Sequence, residues 1–154
     1  MNRIIGIGHP LRGDDALGPT AIHTLPRQLD AHTECLALSG EASTLWYAFK
    51  GMQRVLLIDA LQTPLKPGEL LEINLRQTPL PKSWLACSTH AFGLSEALEL
   101  AIALGDLPPT LLLLGIAAQE FETGKGLSAA VEGSLPALLK RVYEIHQNWS
   151  LEYA

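Results

Sequence analysis

Apolar and polar positions along the chain follow two rhythms, one helical and one extended. Residues 3–8 form a short apolar run, after which Leu17, Ala21, Ile22, Leu25 and Leu29 recur at helical spacing with Pro19 in the first turn. This predicts a strand, a loop and a helix. Residues 33–38 predict a second strand, and residues 43–50 a short helix that Gly51 stops. Residues 54–60, RVLLIDA, are nearly continuous aliphatics until the last two positions, the mark of a central strand covered on both faces. After a Pro- and Gly-containing turn at 63–68, the alternation in residues 69–75 predicts a strand returning antiparallel at an edge.

Residues 77–87, with Pro79 and Pro81, predict an irregular surface segment, and residues 92–104 an amphipathic helix ending at Gly105. TLLLLGI at 110–116 is another buried strand. Leu127, Val131, Leu135, Leu138, Leu139, Val142 and Ile145 mark a last helix, with a kink expected at Pro136. Strands separated by helices define an α/β chain, a three-layer α/β/α fold with a mostly parallel, mixed sheet and right-handed crossovers. No repeat, low-complexity tract or linker divides it, so residues 1–154 are expected to form a single domain.

Composition narrows the class. A chain of 154 residues, 47% hydrophobic and 18% charged, has the make-up of a folded domain able to bury its own core. The net charge of -5, with Lys and Arg scattered, argues against nucleic acid as a partner. Two cysteines make no disulfide framework, and Cys35, inside an apolar run, is expected as a buried reduced thiol. The first residues run into a strand pattern with no signal-peptide apolar region, and no apolar stretch approaches the ~20 residues of a membrane span. A cytoplasmic protein without a membrane partner is expected.

In open α/β sheets, sites form beyond the carboxyl ends of the strands, and the chain carries carboxylates at two such places. The loop after the first strand reads GIGHPLRGDDALG. It is not a dinucleotide fingerprint, because position 11 is Leu where the third glycine would stand, and Pro10 removes an amide that a phosphate would need. Asp14 and Asp15 precede a helix; one of them is expected to cap it, leaving the other to face the crevice. Asp59, ending a continuous aliphatic strand, must be desolvated or paired, which favours a functional role. His90, in STHAFGL, is either a cap, a packed side chain or a ligand, whereas His23, His32 and His146 are expected at the surface.

Two carboxylates and one imidazole on three loops of one crevice suit an open N/O site for nickel, zinc, iron or manganese. Three oxygen ligands would instead have suggested magnesium or calcium. The alternative chemistry is a nucleophile, Cys87 with His90 or Ser88 beside it, but nothing here matches a nucleophile elbow or a cysteine-protease signature.

Taken together, GIGHPLRGDDALG, LLIDA, STHAFGL, LLLLGI and GKGLSAAVEGSLPALLKRV, in that order and across nearly the whole chain, resemble the hydrogenase maturation endopeptidases. These trim the carboxyl-terminal extension from the large subunit of nickel-iron hydrogenases after nickel insertion. The resemblance implies an endopeptidase whose partner is the nickel-loaded large-subunit precursor. It places the family's metal-contacting acid on Asp15, its strand-end aspartate on Asp59 and its histidine on His90, and implies that nickel arrives with the substrate rather than resting in the enzyme. The chain departs from the pattern at His9, where Asn is usual, at Ser39-Gly40-Glu41, where many members have Asp-Gly-Gly, and at Ala16, where glycine is common. His9 is either an added ligand or the cap of a turn. The rivals are a metal-dependent peptidase or amidase of the same fold with another substrate, and a non-catalytic nickel-checking binder.

Overall fold

The structure, a computed structural model, describes residues 1–85 and 93–152. Among these, six strands form one sheet, in the order β2-β3-β1-β4-β6-β5. They are β1 (Asn2–Ile7), β2 (Gln28–Asp30), β3 (Thr33–Leu38), β4 (Arg54–Leu61), β5 (Leu70–Asn74) and β6 (Thr110–Ala117). The helices are α1 (Leu17–His23), α2 (Ala42–Phe49), α3 (Leu94–Leu104) and α4 (Ala129–Leu151). β3, β1, β4 and β6 run parallel, and β2 and β5 lie antiparallel at the two edges.

β4 is buried at every position, as its aliphatic run requires of a central strand. Its side chains divide by parity. Leu56, Ile58 and Ala60 join a core with Leu17, Ile22, Val131, Leu138 and Val142, from α1 and α4. Val55, Leu57 and Leu61 join a second core with Leu45, Phe49, Leu94 and Ala97, from α2 and α3. Helices therefore cover both faces, and the expected three-layer α/β/α arrangement with a mixed sheet is found.

One stretch differs from the pattern of the sequence. The first helix ends at His23 and not near Leu29, and residues 28–30 form the edge strand β2. Leu25 and Leu29 still pack on the α1–α4 core, so their spacing reported burial while the backbone had already left the helix. Pro136 lies inside α4, where the sequence places it. His146 is not a free surface group: its Nε2 lies 2.8 Å from Asp30 Oδ2, tying α4 to β2.

The chain passes from β1 to α1 on one face, while the connection from β4 to β6, by way of β5, carries α3 on the other. Adjacent strands whose connections leave to opposite faces open a crevice at their carboxyl ends. The switch point thus lies between β1 and β4.

Candidate active site

The loop after β1 owes its shape to glycines that let backbone meet backbone. A Cβ on Gly6 would lie 2.2 Å from the Gly18 carbonyl oxygen, and one on Gly18 would lie 2.3 Å from that of Ile7. The start of α1 therefore rests directly on the end of β1. A Cβ on Gly8 would lie 1.8 Å from the Asp15 carbonyl oxygen, so the loop folds back until residue 15 touches residue 8. The Gly-x-Gly that mimics a nucleotide fingerprint is used here for chain crossing.

This return places Asp15 at the mouth of the crevice. Its Oδ2 accepts the His9 N–H at 2.9 Å, and its side chain is partly exposed. His9 Nδ1 accepts the Leu11 N–H at 3.1 Å, which leaves Nε2 to carry the proton of the neutral ring. His9 thus caps a turn.

Asp14 does not cap the helix. It is fully buried, and its carboxylate accepts four hydrogen bonds from the far end of the sequence. Oδ2 takes the N–H groups of Gln119 and Glu120 and the Ser128 hydroxyl, each at 2.9 Å, and Oδ1 takes the Ser128 N–H at 2.7 Å. Ser128 in turn caps α4, its Oγ accepting the Val131 N–H at 3.4 Å. The expectation that one acid of the pair caps the helix is not met: neither helical start has a side-chain cap, and Asp14 is spent instead on donors from the far end of the sequence. Ser before a helical run is a legible cap signal; its bond to Asp14, 114 residues away, is not.

Asp59 lies one residue past the Gly6–Ile58 pair, level with the end of β1, and opposite Gly115 of β6. By alternation it shares the face of Val55, Leu57 and Leu61, toward α2 and α3. It is 6% exposed. Burial pushes its carboxyl well above the ordinary aspartate range, and the negative charge of Asp15 pushes it further, against a weaker opposite effect of the Ala60 N–H. The two carboxylates expected at the site are therefore brought together at the switch point.

His90, Cys87 and Ser88 lie outside the described residues. Their flanks are described, and both are at the same edge. Leu85 forms an antiparallel bridge with Leu61 at the end of β4, and the Gln62 N–H donates to the Trp84 carbonyl at 2.8 Å. On the other side, a Cβ on Gly93 would lie 3.7 Å from the Gly40 carbonyl oxygen, just beyond β3. Among the described residues no three His, Cys, Asp or Glu side chains are grouped to hold a metal ion.

Glu41, at the departure from the family pattern, caps α2. Its carboxylate accepts the N–H and hydroxyl groups of Ser43 and Thr44, the Ser43 hydroxyl at 2.6 Å, and these bonds hold its carboxyl down to about 2. Cys35 is buried, with its thiol pushed up to about 11 by desolvation and by the charge of Glu34, as expected of an inert thiol.

The family model described as HycI, hydrogenase maturation protease, matches residues 34–145. This chain belongs to the hydrogenase maturation protease family. The match takes in Asp59 and position 90, and likeness to individual relatives extends further. Hydrogenase expression/formation protein HupD of Rhizobium leguminosarum bv. viciae is 24% identical over 151 residues, covering 96% of this chain and 75% of its own. The hydrogenase 2 maturation protease of Escherichia coli is 24% identical over 143 residues, covering 90% of this chain and 86% of its own. Among solved structures, the hydrogenase maturating endopeptidase HybD of E. coli superimposes with a TM-score of 0.80 at 20% identity, over 96% of this chain and 92% of that one. A HybD protease from Thermococcus kodakarensis gives 0.71 at 24% identity, over 94% and 97%. The α/β fold of this hydrogenase maturation protease is thus that of known maturation endopeptidases.

Proposed function

We propose that this maturation protease removes the carboxyl-terminal extension of a nickel-iron hydrogenase large-subunit precursor once nickel is in place, and that Asp15, Asp59 and His90 engage the precursor's nickel beside the bond to be cut. The observation that carries the reading is the pairing of Asp15 with the buried Asp59 at the switch point. Two carboxylates forced together, one of them desolvated, are poorly served by water or by each other, and a cation shared between them relieves both burial and repulsion. A borderline divalent ion suits carboxylate oxygens joined by an imidazole nitrogen, and a nickel already bound by substrate thiolates would need few further ligands.

In this reading the protein's groups hold the nickel-bearing end of the precursor and present the scissile peptide at the crevice. Water adds to the carbonyl carbon, a carboxylate accepts its proton, and the C–N bond breaks with that proton passing to the leaving amine. A mature subunit and a free extension peptide result. The cytoplasm, where the precursor is assembled in this reading, is the proposed compartment; among the described residues no helix is long and apolar enough to cross a membrane.

The test is to incubate the protein with nickel-loaded and nickel-free precursor and to weigh the products. Shortening of the loaded form alone is expected. Equal cutting of both forms would overturn nickel recognition, and cutting of neither would overturn the assignment of substrate.

A further inference from the structure

We propose that Asp14 and Ser128 form a clamp that positions Asp15 for cleavage, by tying the first loop to the turn that leads into α4. The proposal rests on the reading of Asp15 as a group that meets the substrate, and it assigns Asp14 a positioning role without contact to the reacting atoms.

The turn that carries Asp15 is held locally by the Asp15 N–H bond to the Arg12 carbonyl at 3.1 Å, the Arg12 N–H bond to the His9 carbonyl at 3.2 Å and the His9 N–H bond to the Asp15 carboxylate. Residues 13–16 form a single 3-10 turn with no side-chain cap at Arg12, and α1 begins at once with no side-chain cap at Ala16. A turn of this length is marginal on its own. The bonds that tie it to the rest of the fold come from across the molecule. Besides the four bonds to the Asp14 carboxylate, the Asp14 N–H donates to the Glu120 carbonyl at 2.6 Å, the Gly13 N–H to that of Lys125 at 3.0 Å, and the Gly124 N–H to that of Leu11 at 2.9 Å. The two segments are so close that a Cβ on Gly13 would lie 2.5 Å from the Glu120 carbonyl oxygen.

A buried carboxylate spent on holding one loop against another, directly beside Asp15, has its main consequence for where Asp15 sits. Reacting groups displaced by about 1 Å lose about a hundredfold in rate. The Ser128 hydroxyl is the joint of the device, since it donates to Asp14 and accepts from the first turn of α4.

The experiment uses Asp14→Asn, Ser128→Ala and Ser128→Thr in the full chain. Kinetics on nickel-loaded precursor are read together with amide hydrogen exchange at His9, whose N–H donates to Asp15, and at residues 55–58 of β4. For Ser128→Ala and Asp14→Asn, kcat is expected to fall about tenfold or more with KM within about threefold, as for a geometric loss. The His9 amide should exchange about tenfold faster, while β4 keeps its protection. Ser128→Thr, which keeps the hydroxyl, should restore both. Should Asp14→Asn fail to fold, the Ser128 pair still decides. An unchanged kcat or an unchanged His9 amide in folded Ser128→Ala would overturn the clamp, as would an equal loosening of β4, which marks a merely structural role. If the unaltered protein cuts no precursor, the functional reading fails, and the exchange data decide the clamp by themselves.

Discussion

Asp59 is the residue at which folding and function pull apart. Its carboxyl is 6% exposed and pushed well above the ordinary range by burial, then by Asp15, so ionising it costs the folded state free energy that the unfolded chain does not lose. The sign follows: the folded pKa is raised, so the contribution of Asp59 to stability is greatest below the unfolded carboxyl range and is lost as pH rises through the raised value. Asp59→Asn removes the ionisation while keeping the shape. It is expected to raise stability at pH 7 by about 1–3 kcal/mol, to leave stability near pH 3 about unchanged, and to abolish cleavage. Thermal melts at the two pH values check this, and a variant no more stable at pH 7 than at pH 3, relative to the original, would contradict it.

Asp15 and His90 are judged by the same pairing of measurements. Asp15→Ala and His90→Ala should each reduce cleavage by about a hundredfold or more, with a melting temperature within about 2–4 °C of the original, since polar groups that serve a site add little to core packing. Cys87→Ser should retain activity; an inactive but folded Cys87→Ser would return the thiol to consideration as nucleophile.

At the scale of elements, what matters is how closely two pieces of backbone approach. The start of α1 lies on the end of β1 because Gly6 and Gly18 have no Cβ, and an added methyl at position 6 would meet the Gly18 carbonyl at 2.2 Å. The Ile22 side chain, 2.5 Å away, could give, but the Gly18 backbone could not, so Gly6→Ala must push α1 off the strand. A loss of about 2–4 kcal/mol, with loss of activity, is expected from chemical denaturation.

The short edge strand β2 is held in a different way, through Asp30. Burial opposes its ionisation, but bonds from the His32 N–H, from His146 and from Thr33 outweigh this and hold the carboxyl down to about 2. A depressed folded pKa contributes stability that is present above the unfolded value of about 3.9 and is lost as pH falls toward 2. Asp30→Asn should therefore lower stability at pH 6 while flattening the acid limb between about pH 4 and pH 2, as followed by urea denaturation.

On the scale of the whole molecule, β4 gives alternate residues to two cores, Leu56 and Ile58 to one and Val55 and Leu57 to the other. Because one strand serves both, neither layer can melt while the other stays intact. Leu56→Ala and Leu57→Ala should each cost about 2–5 kcal/mol and lower one common transition, with far-UV circular dichroism and tryptophan fluorescence coinciding. Separate transitions would show that the layers are independent.

The sequence by itself determined the layered fold and the two acids. Continuous aliphatics at 54–60 and 110–116 are compatible only with strands covered on both faces, and a carboxylate at the end of such a run has few structural explanations. It also located the turns that carry Asp15. It misjudged the end of α1, because Leu25 and Leu29 keep a helical spacing while being buried by tertiary packing. It left Glu41 and His9 open, since capping depends on loop dihedrals that composition does not reveal.

Only the tertiary structure decided which of two adjacent aspartates is structural. Asp14 and Asp15 are the same residue type in the same turn, and nothing local separates them. The difference comes from donors 105 to 114 residues away, at Gln119, Glu120 and Ser128, which reach Asp14 alone. Likewise the nearness of Asp15 to Asp59 follows from strand order. β1 and β4 are neighbours although β2 and β3 lie between them in the chain, and hydrogen bonding across a sheet, unlike periodicity along it, leaves no local trace in sequence.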